Sequence, residues 1–90
     1  IPFGTVVEQG FLKAGTTLYD LSRKHQVKIR SDGTVKNESG EGSIHQLGAL
    51  AQNASACNGW TYWYFEDENK NLVSIDQIRE KIRQNMELAS

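Results

Sequence analysis

The sequence carries one cysteine, one proline and one methionine in 90 residues. A lone Cys57 excludes an internal disulfide. It also excludes a cysteine-rich zinc site, because structural zinc takes four ligands at close spacing and only His25 and His45 remain to help. No metal is therefore expected, and Cys57 reads as a small buried or half-buried hydrophobe in a reducing or indifferent compartment, by default the cytoplasm. Apolar runs are short, far below the ~18 residues of a membrane-spanning helix, and no basic-then-apolar start suggests a secretory signal. The chain opens at Ile1-Pro2-Phe3-Gly4 rather than at a methionine, so a piece of a longer protein is expected. Net charge is also scarce. At −1 it argues against a strong, stand-alone, sequence-indifferent binder of nucleic acid.

The residues present suffice for one domain over residues 1–90, with one modest core, since a chain of this size buries roughly two-thirds of its unfolded surface. The cations are unevenly placed. Arg23, Lys24, Lys28, Arg30 and Lys36 share one stretch with a single acid, Asp32, while Glu66, Asp67 and Glu68 cluster elsewhere. Such segregation fits a basic face, and it also occurs on ordinary solvated surfaces.

Val6 to Leu12 reads as a short helical turn closing near Gly10, and Thr16 to Tyr19 as a strand. Val27 to Arg30 alternates apolar and basic; Asp32-Gly33 supplies a turn tolerant of positive φ, and Thr34-Val35-Lys36 returns. That hairpin would present Val27, Ile29 and Val35 to a core and Lys28, Arg30 and Lys36 to the other side. Ser43 and Gln46 have capping-box spacing, and Ile44, Leu47 and Ala51 follow at helical intervals, which predicts a helix over Ile44–Gln52 despite Gly48. Asn58-Gly59 breaks the chain. Trp60 to Phe65, rich in aromatic and β-branched types, is expected as a strand, with Trp63 and Phe65 in the core and Trp60 on the opposite face near the surface. Asn69 to Asn71 reads as a turn. Ser74 and Gln77 repeat the capping-box pattern, and Ile75, Ile78, Ile82 and Met86 mark one face of a last helix. The fold expected is α+β: a small single domain with a β-hairpin or antiparallel sheet packed against two to three short helices.

Two segments stand out, Gly42-Ser43-Ile44-His45-Gln46-Leu47-Gly48-Ala49 and Cys57-Asn58-Gly59-Trp60-Thr61-Tyr62-Trp63-Tyr64-Phe65-Glu66. With Pro2-Phe3-Gly4, Gly15-Thr16, Asp32-Gly33-Thr34 and Ile75-Asp76, they resemble the C-terminal domain of the cell-cycle-regulated adenine DNA methyltransferases of alphaproteobacteria. More broadly, they resemble the restriction-enzyme-adenine-methylase-associated (RAMA) domain. The resemblance implies a parent enzyme, dimeric, that methylates adenine N6 within GANTC and binds S-adenosylmethionine in its catalytic part. It further implies that the C-terminal domain contacts double-stranded DNA, including the strand not being methylated, with Ser43, Asn58 and Trp60 matching the DNA-contacting positions. The family's Asp-Pro-Pro-Tyr type segment is absent, as is a glycine-rich cofactor loop. This chain alone is thus expected to be neither catalytic nor cofactor-binding.

Each candidate has a plainer task as well. Ser43 can cap a helix or offer its hydroxyl to DNA, and both tasks are compatible because helix N-termini favour phosphate. His45 can donate to phosphate or simply lie at the surface. Asn58 can shape a turn or offer its amide to a base edge. Trp60 can stack on a displaced base or cover the rim of the core. Lys28, Arg30 and Lys36 can hold phosphates or form a solvated face. Two other roles fit the pattern: a reader of N6-methyladenine, and a protein-interaction or dimerisation module built on Ile78, Ile82 and Met86.

Overall fold

The alternation in Gln26-Val27-Lys28-Ile29 is realised as a strand in which Val27 and Ile29 are buried and Gln26 and Lys28 exposed, and the sheet grows outward from it. The computed structural model describes residues 2–89, and side chains as far as residue 85. In chain order the elements are α1 (Phe3–Glu8), β1 (Thr17–Tyr19), β2 (Gln26–Ile29), β3 (Val35–Asn37), β4 (Gly40–Gly42), α2 (Ile44–Gln52), α3 (Gly59–Tyr62), β5 (Tyr64–Glu66), β6 (Leu72–Ser74) and α4 (Ile75–Ala89). The strands form one antiparallel sheet in the order β4-β3-β2-β1-β5-β6. This is the expected α+β class, with a larger sheet than the hairpin alone.

The hairpin forms where the pattern places it. Ile29 pairs with Val35 and Lys28 with Lys36, across a turn in which Gly33 takes a φ of 86° and Asp32 accepts from the Thr34 N–H and hydroxyl. Two strands were not expected. Strand β4, Gly-Glu-Gly, has little strand propensity of its own. It is recruited by a turn in which the Asn37 side chain accepts the Ser39 N–H, which returns the chain along β3. Strand β6 is likewise delivered by a turn, where Asp67 Oδ1 accepts from the N–H groups of Asn69 and Asn71.

The core lies between one face of the sheet and the helices. Leu18, Val27, Ile29 and Val35 meet Phe3 and Val6 of α1, Ile44 and Leu47 of α2, both tryptophans, and Ile75, Ile78 and Ile82 of α4. At roughly 1.5–3 kcal/mol for each large aliphatic side chain buried, this cluster is the dominant stabilising term. Ile78 and Ile82 are thereby committed within the chain, which corrects the idea that they form a dimerisation stripe. The side chain of Met86 lies outside the described residues. Among the described residues, no helix is long and apolar enough to cross a membrane.

Asp20 is the buried charged side chain among the described residues, and its environment explains why it is tolerated. Its Oδ1 accepts the N–H groups of Lys24 (2.9 Å) and His25 (3.3 Å), and its Oδ2 accepts the hydroxyls of Ser22 (3.1 Å) and Tyr62 (3.3 Å). Burial by itself would raise this carboxyl, but the His25 N–H, the Ser22 hydroxyl and the Lys24 N–H outweigh it and hold the group below the ordinary carboxylate value. Burial, reinforced by the same carboxylate, pushes the Tyr62 hydroxyl up to about 12. A depressed folded-state value means that Asp20 contributes stability above its unfolded pKa, and that this is lost as pH falls through the folded one. Asp20→Asn should therefore lower the thermal midpoint at pH 7 and flatten its decline below about pH 5. Thermal unfolding of both proteins between neutral and acid pH checks this; parallel curves would contradict it.

Candidate nucleic-acid interface

Helix α2 begins with a complete capping box. Ser43 Oγ accepts the Gln46 N–H at 3.1 Å and Gln46 Oε1 accepts the Ser43 N–H at 2.9 Å. The Ser43 hydroxyl uses one acceptor site in this arrangement and keeps its proton to donate. His45, exposed at the second position of the helix, accepts the Gly59 N–H on Nδ1 at 2.9 Å. A ring nitrogen that accepts carries no proton, so the His45 proton sits on Nε2. The imidazole is thus a strut between two segments that keeps Nε2–H as its remaining donor.

The segment it braces departs from the sequence expectation. Trp60 to Phe65 is not one strand; Gly59 to Tyr62 forms helix α3, and only Tyr64 to Glu66 is strand. The Asn58 Oδ1 accepts the Trp60 N–H at 3.1 Å and starts the turn as an N-cap, a role that outweighs the aromatic and β-branched propensity of the residues after it. In a helical turn, residues three apart share a side. Trp60 and Trp63 therefore both enter the core, at 5% and 0% relative exposure, where a strand would have sent them to opposite faces.

The Trp60 indole is consequently not at the surface as expected. Phe3 meets its ring edge-on at 5.7 Å, and the Arg79 guanidinium lies over it at 4.9 Å. Arg79 also pairs with Asp76, a brace that the sequence pattern did not signal. Trp63 donates its indole N–H to the Ile44 carbonyl at 2.9 Å. The Asn58 amide uses its oxygen internally, leaving its NH2 exposed beside His45 and Gly59. His45 and the Asn58-Gly59 turn are therefore held together across α2 and α3, with Ser43 capping the same first turn of α2. Trp60 lies behind them.

The hairpin cations divide. Arg30, expected to hold phosphate or lie on a solvated face, is exposed and ion-paired with Glu41. Lys28 and Lys36 sit directly opposite each other on β2 and β3, both exposed. Among the described residues neither has a carboxylate in ion-pairing range, whereas Arg23, Arg30, Arg79 and Arg83 are each paired with an acid. No described group of His, Cys, Asp and Glu side chains could hold a metal ion.

These features define a small α+β domain with a donor-lined helix junction and an unpaired cationic strand pair. Residues 1–88 match the family described as RAMA, Restriction Enzyme Adenine Methylase Associated, and the chain belongs to that family. Over 79 residues it is 34% identical to the Type II methyltransferase M.HinfI of Haemophilus influenzae, a match covering 88% of this chain and 22% of that protein. The chain thus spans less than a quarter of that relative's length.

Gly59 is required at the junction because a Cβ there would fall 2.5 Å from the Ile44 carbonyl carbon. Gly59→Ala should destabilise the fold by about 1–3 kcal/mol and disturb the amide resonances of Ile44 and His45. Trp60→Ala should cost about 3–5 kcal/mol. Denaturant unfolding measures both. A Trp60→Ala loss below about 1 kcal/mol would mean that the indole is not the core residue described.

Proposed function

We propose that this chain is the DNA-binding accessory domain of an S-adenosylmethionine-dependent adenine-N6 DNA methyltransferase. In this reading it grips duplex DNA in the bacterial cytoplasm and contacts the non-target strand at GANTC-type sites, while the parent's catalytic domain performs methyl transfer. The parent acts as a homodimer, as the family resemblance implies.

The observation that carries the reading is the Lys28–Lys36 pair. Like charges directly opposite on a ladder destabilise a sheet, and Glu41, the acid directly across from Lys36, is ion-paired with Arg30 and does not fully offset them. A polyanion would. Lysines on a strand face suit sequence-indifferent phosphate contact. They lie on the sheet face away from the helices, so a duplex meeting both them and the α2–α3 junction would pass the β4 edge, where Ser43 follows Gly42 directly. Base-edge contact falls to Asn58, whose free NH2 suits an acceptor such as adenine N7, with the Ser43 hydroxyl and His45 Nε2–H beside it to reach base or backbone. Trp60 serves from behind, as the packed brace that fixes the Asn58 turn. Reaching adenine N6 requires the base to leave the stack, at a cost of a few kcal/mol, and binding energy from an accessory domain offsets part of it.

Titrating the chain onto labelled duplexes over a range of salt tests the assignment. Lys28→Ala should weaken binding to all sequences alike and reduce the log–log salt slope by about 0.9. Asn58→Ala should cost about 1–3 kcal/mol on a GANTC duplex and less on a scrambled one. A duplex with N6-methyladenine should bind as well as its unmethylated counterpart; a clear preference for methylation would favour a reader instead. No binding at DNA concentrations well above the non-specific range of about 10⁻⁴–10⁻⁶ M would overturn the reading.

A further inference from the structure

A groove of about 660 Å³ crosses the open face of the sheet between the β1–β2 turn and the β3–β4 turn. Lys24, His25, Lys28 and Lys36 line it with Thr17, and Glu38 is the acid among its lining residues. The register puts Thr17, Lys28 and Lys36 in one row across β1, β2 and β3. Neighbouring strands are about 4.8 Å apart, so the row sets the stems of Lys28 and Lys36 on adjacent strands of one face, with Lys24 and His25 also lining the groove.

We propose that this groove is a phosphate track that seats the backbone of one DNA strand, with Lys24 and His25 as ligands additional to Lys28 and Lys36. It rests on the DNA-binding reading above and adds where a strand runs. The groove is open, and its cations are spread along it, which fits an extended polyanion better than a compact ligand. Lysine acts as a point charge toward phosphate and does not demand the planar, two-pronged geometry of arginine. The arginines of the chain are engaged elsewhere in ion pairs. Glu41 is the key neighbour. It lies directly across from Lys36 on β4 yet pairs with Arg30 and is not among the residues that line the groove.

The test is an amide chemical-shift titration of the isotope-labelled 90-residue chain with a DNA duplex, an RNA duplex of the same sequence and polyglutamate. Affinities of wild type, Lys24→Gln and Glu41→Gln are measured alongside. The DNA duplex should shift the amides of residues 24–28 and 36–39. Lys24→Gln should weaken DNA binding roughly fivefold at about 0.15 M salt and lower the salt slope by about 0.9, as the loss of one phosphate contact requires. Glu41→Gln should tighten binding. If DNA shifts Ser43, His45 and Asn58 while the groove stays silent and Lys24→Gln binds as wild type does, the track is wrong and the DNA reading stands. No DNA-induced shift anywhere sinks both. Groove shifts as large with polyglutamate, or with RNA but not DNA, also overturn the track.

Discussion

The Ile44 peptide is the contact on which the α2–α3 junction depends. Its carbonyl accepts the indole N–H of a fully buried Trp63, and Gly59 packs so closely against it that a side chain there would collide. A buried indole N–H without a partner is costly, so the core cannot release this bond without losing stability. The bond ties the first turn of α2 to the segment carrying α3. Gly59 donating to His45 then fixes the orientation of the imidazole, and Asn58, one residue earlier, is held beside it. Rigid support of this kind is what a recognition site needs, because a donor that must be ordered on binding contributes less net affinity.

Local chemistry makes much of this legible from the residues. Helix α2 spans Ile44–Gln52 as the capping box and apolar spacing indicate, and the hairpin core residues Val27, Ile29 and Val35 are buried. The features that escape a reading of the residues depend on tertiary context. Strand β4 exists because a side-chain-stabilised turn lays it against β3, not because Gly-Glu-Gly favours extension. Helix α3 is masked by the strand-like composition of Trp60 to Phe65, although the Asn58 cap that overrides it is visible as a turn residue. The difference between the two periods decides the side on which Trp60 lies: a strand carries its indole outward, a helical turn carries it into the core. The ion pairing of Arg30 with Glu41, which needs β4 in place, is equally beyond local pattern.

Gly48 shows how helix and site share one constraint. In isolation a glycine within α2 costs about 1 kcal/mol relative to alanine. Here a Cβ would fall 2.7 Å from Cys57 Sγ, so the glycine lets the approach to Asn58 lie against the helix. Cys57 is half-buried as the sequence suggested, with its thiol pushed up by burial, and Gln52 donates to its sulfur. The glycines at 48 and 59 thus serve the same end, letting two short helices sit close enough to bring His45 against the Asn58-Gly59 turn.

A domain of net charge −1 is a poor polyanion binder only if charge is averaged over its surface. Ion pairing removes the averaging. Arg23 neutralises Glu66, Arg30 neutralises Glu41, and Arg79 and Arg83 answer Asp76 and Glu80. Subtracting those pairs leaves Lys24, Lys28 and Lys36 on the groove of the open sheet face, with Glu38 as the acid beside them. Three lysines against Glu38 give this groove a local excess of positive charge even though the whole chain carries −1. Such a surface should bind modestly on its own and more usefully when tethered, since linkage to a second DNA-binding unit turns its contact into an intramolecular one at an effective concentration approaching millimolar. On the proposed DNA-binding reading, near-neutral charge would limit indiscriminate adhesion to DNA and leave the choice of site to the groups held at the α2–α3 junction.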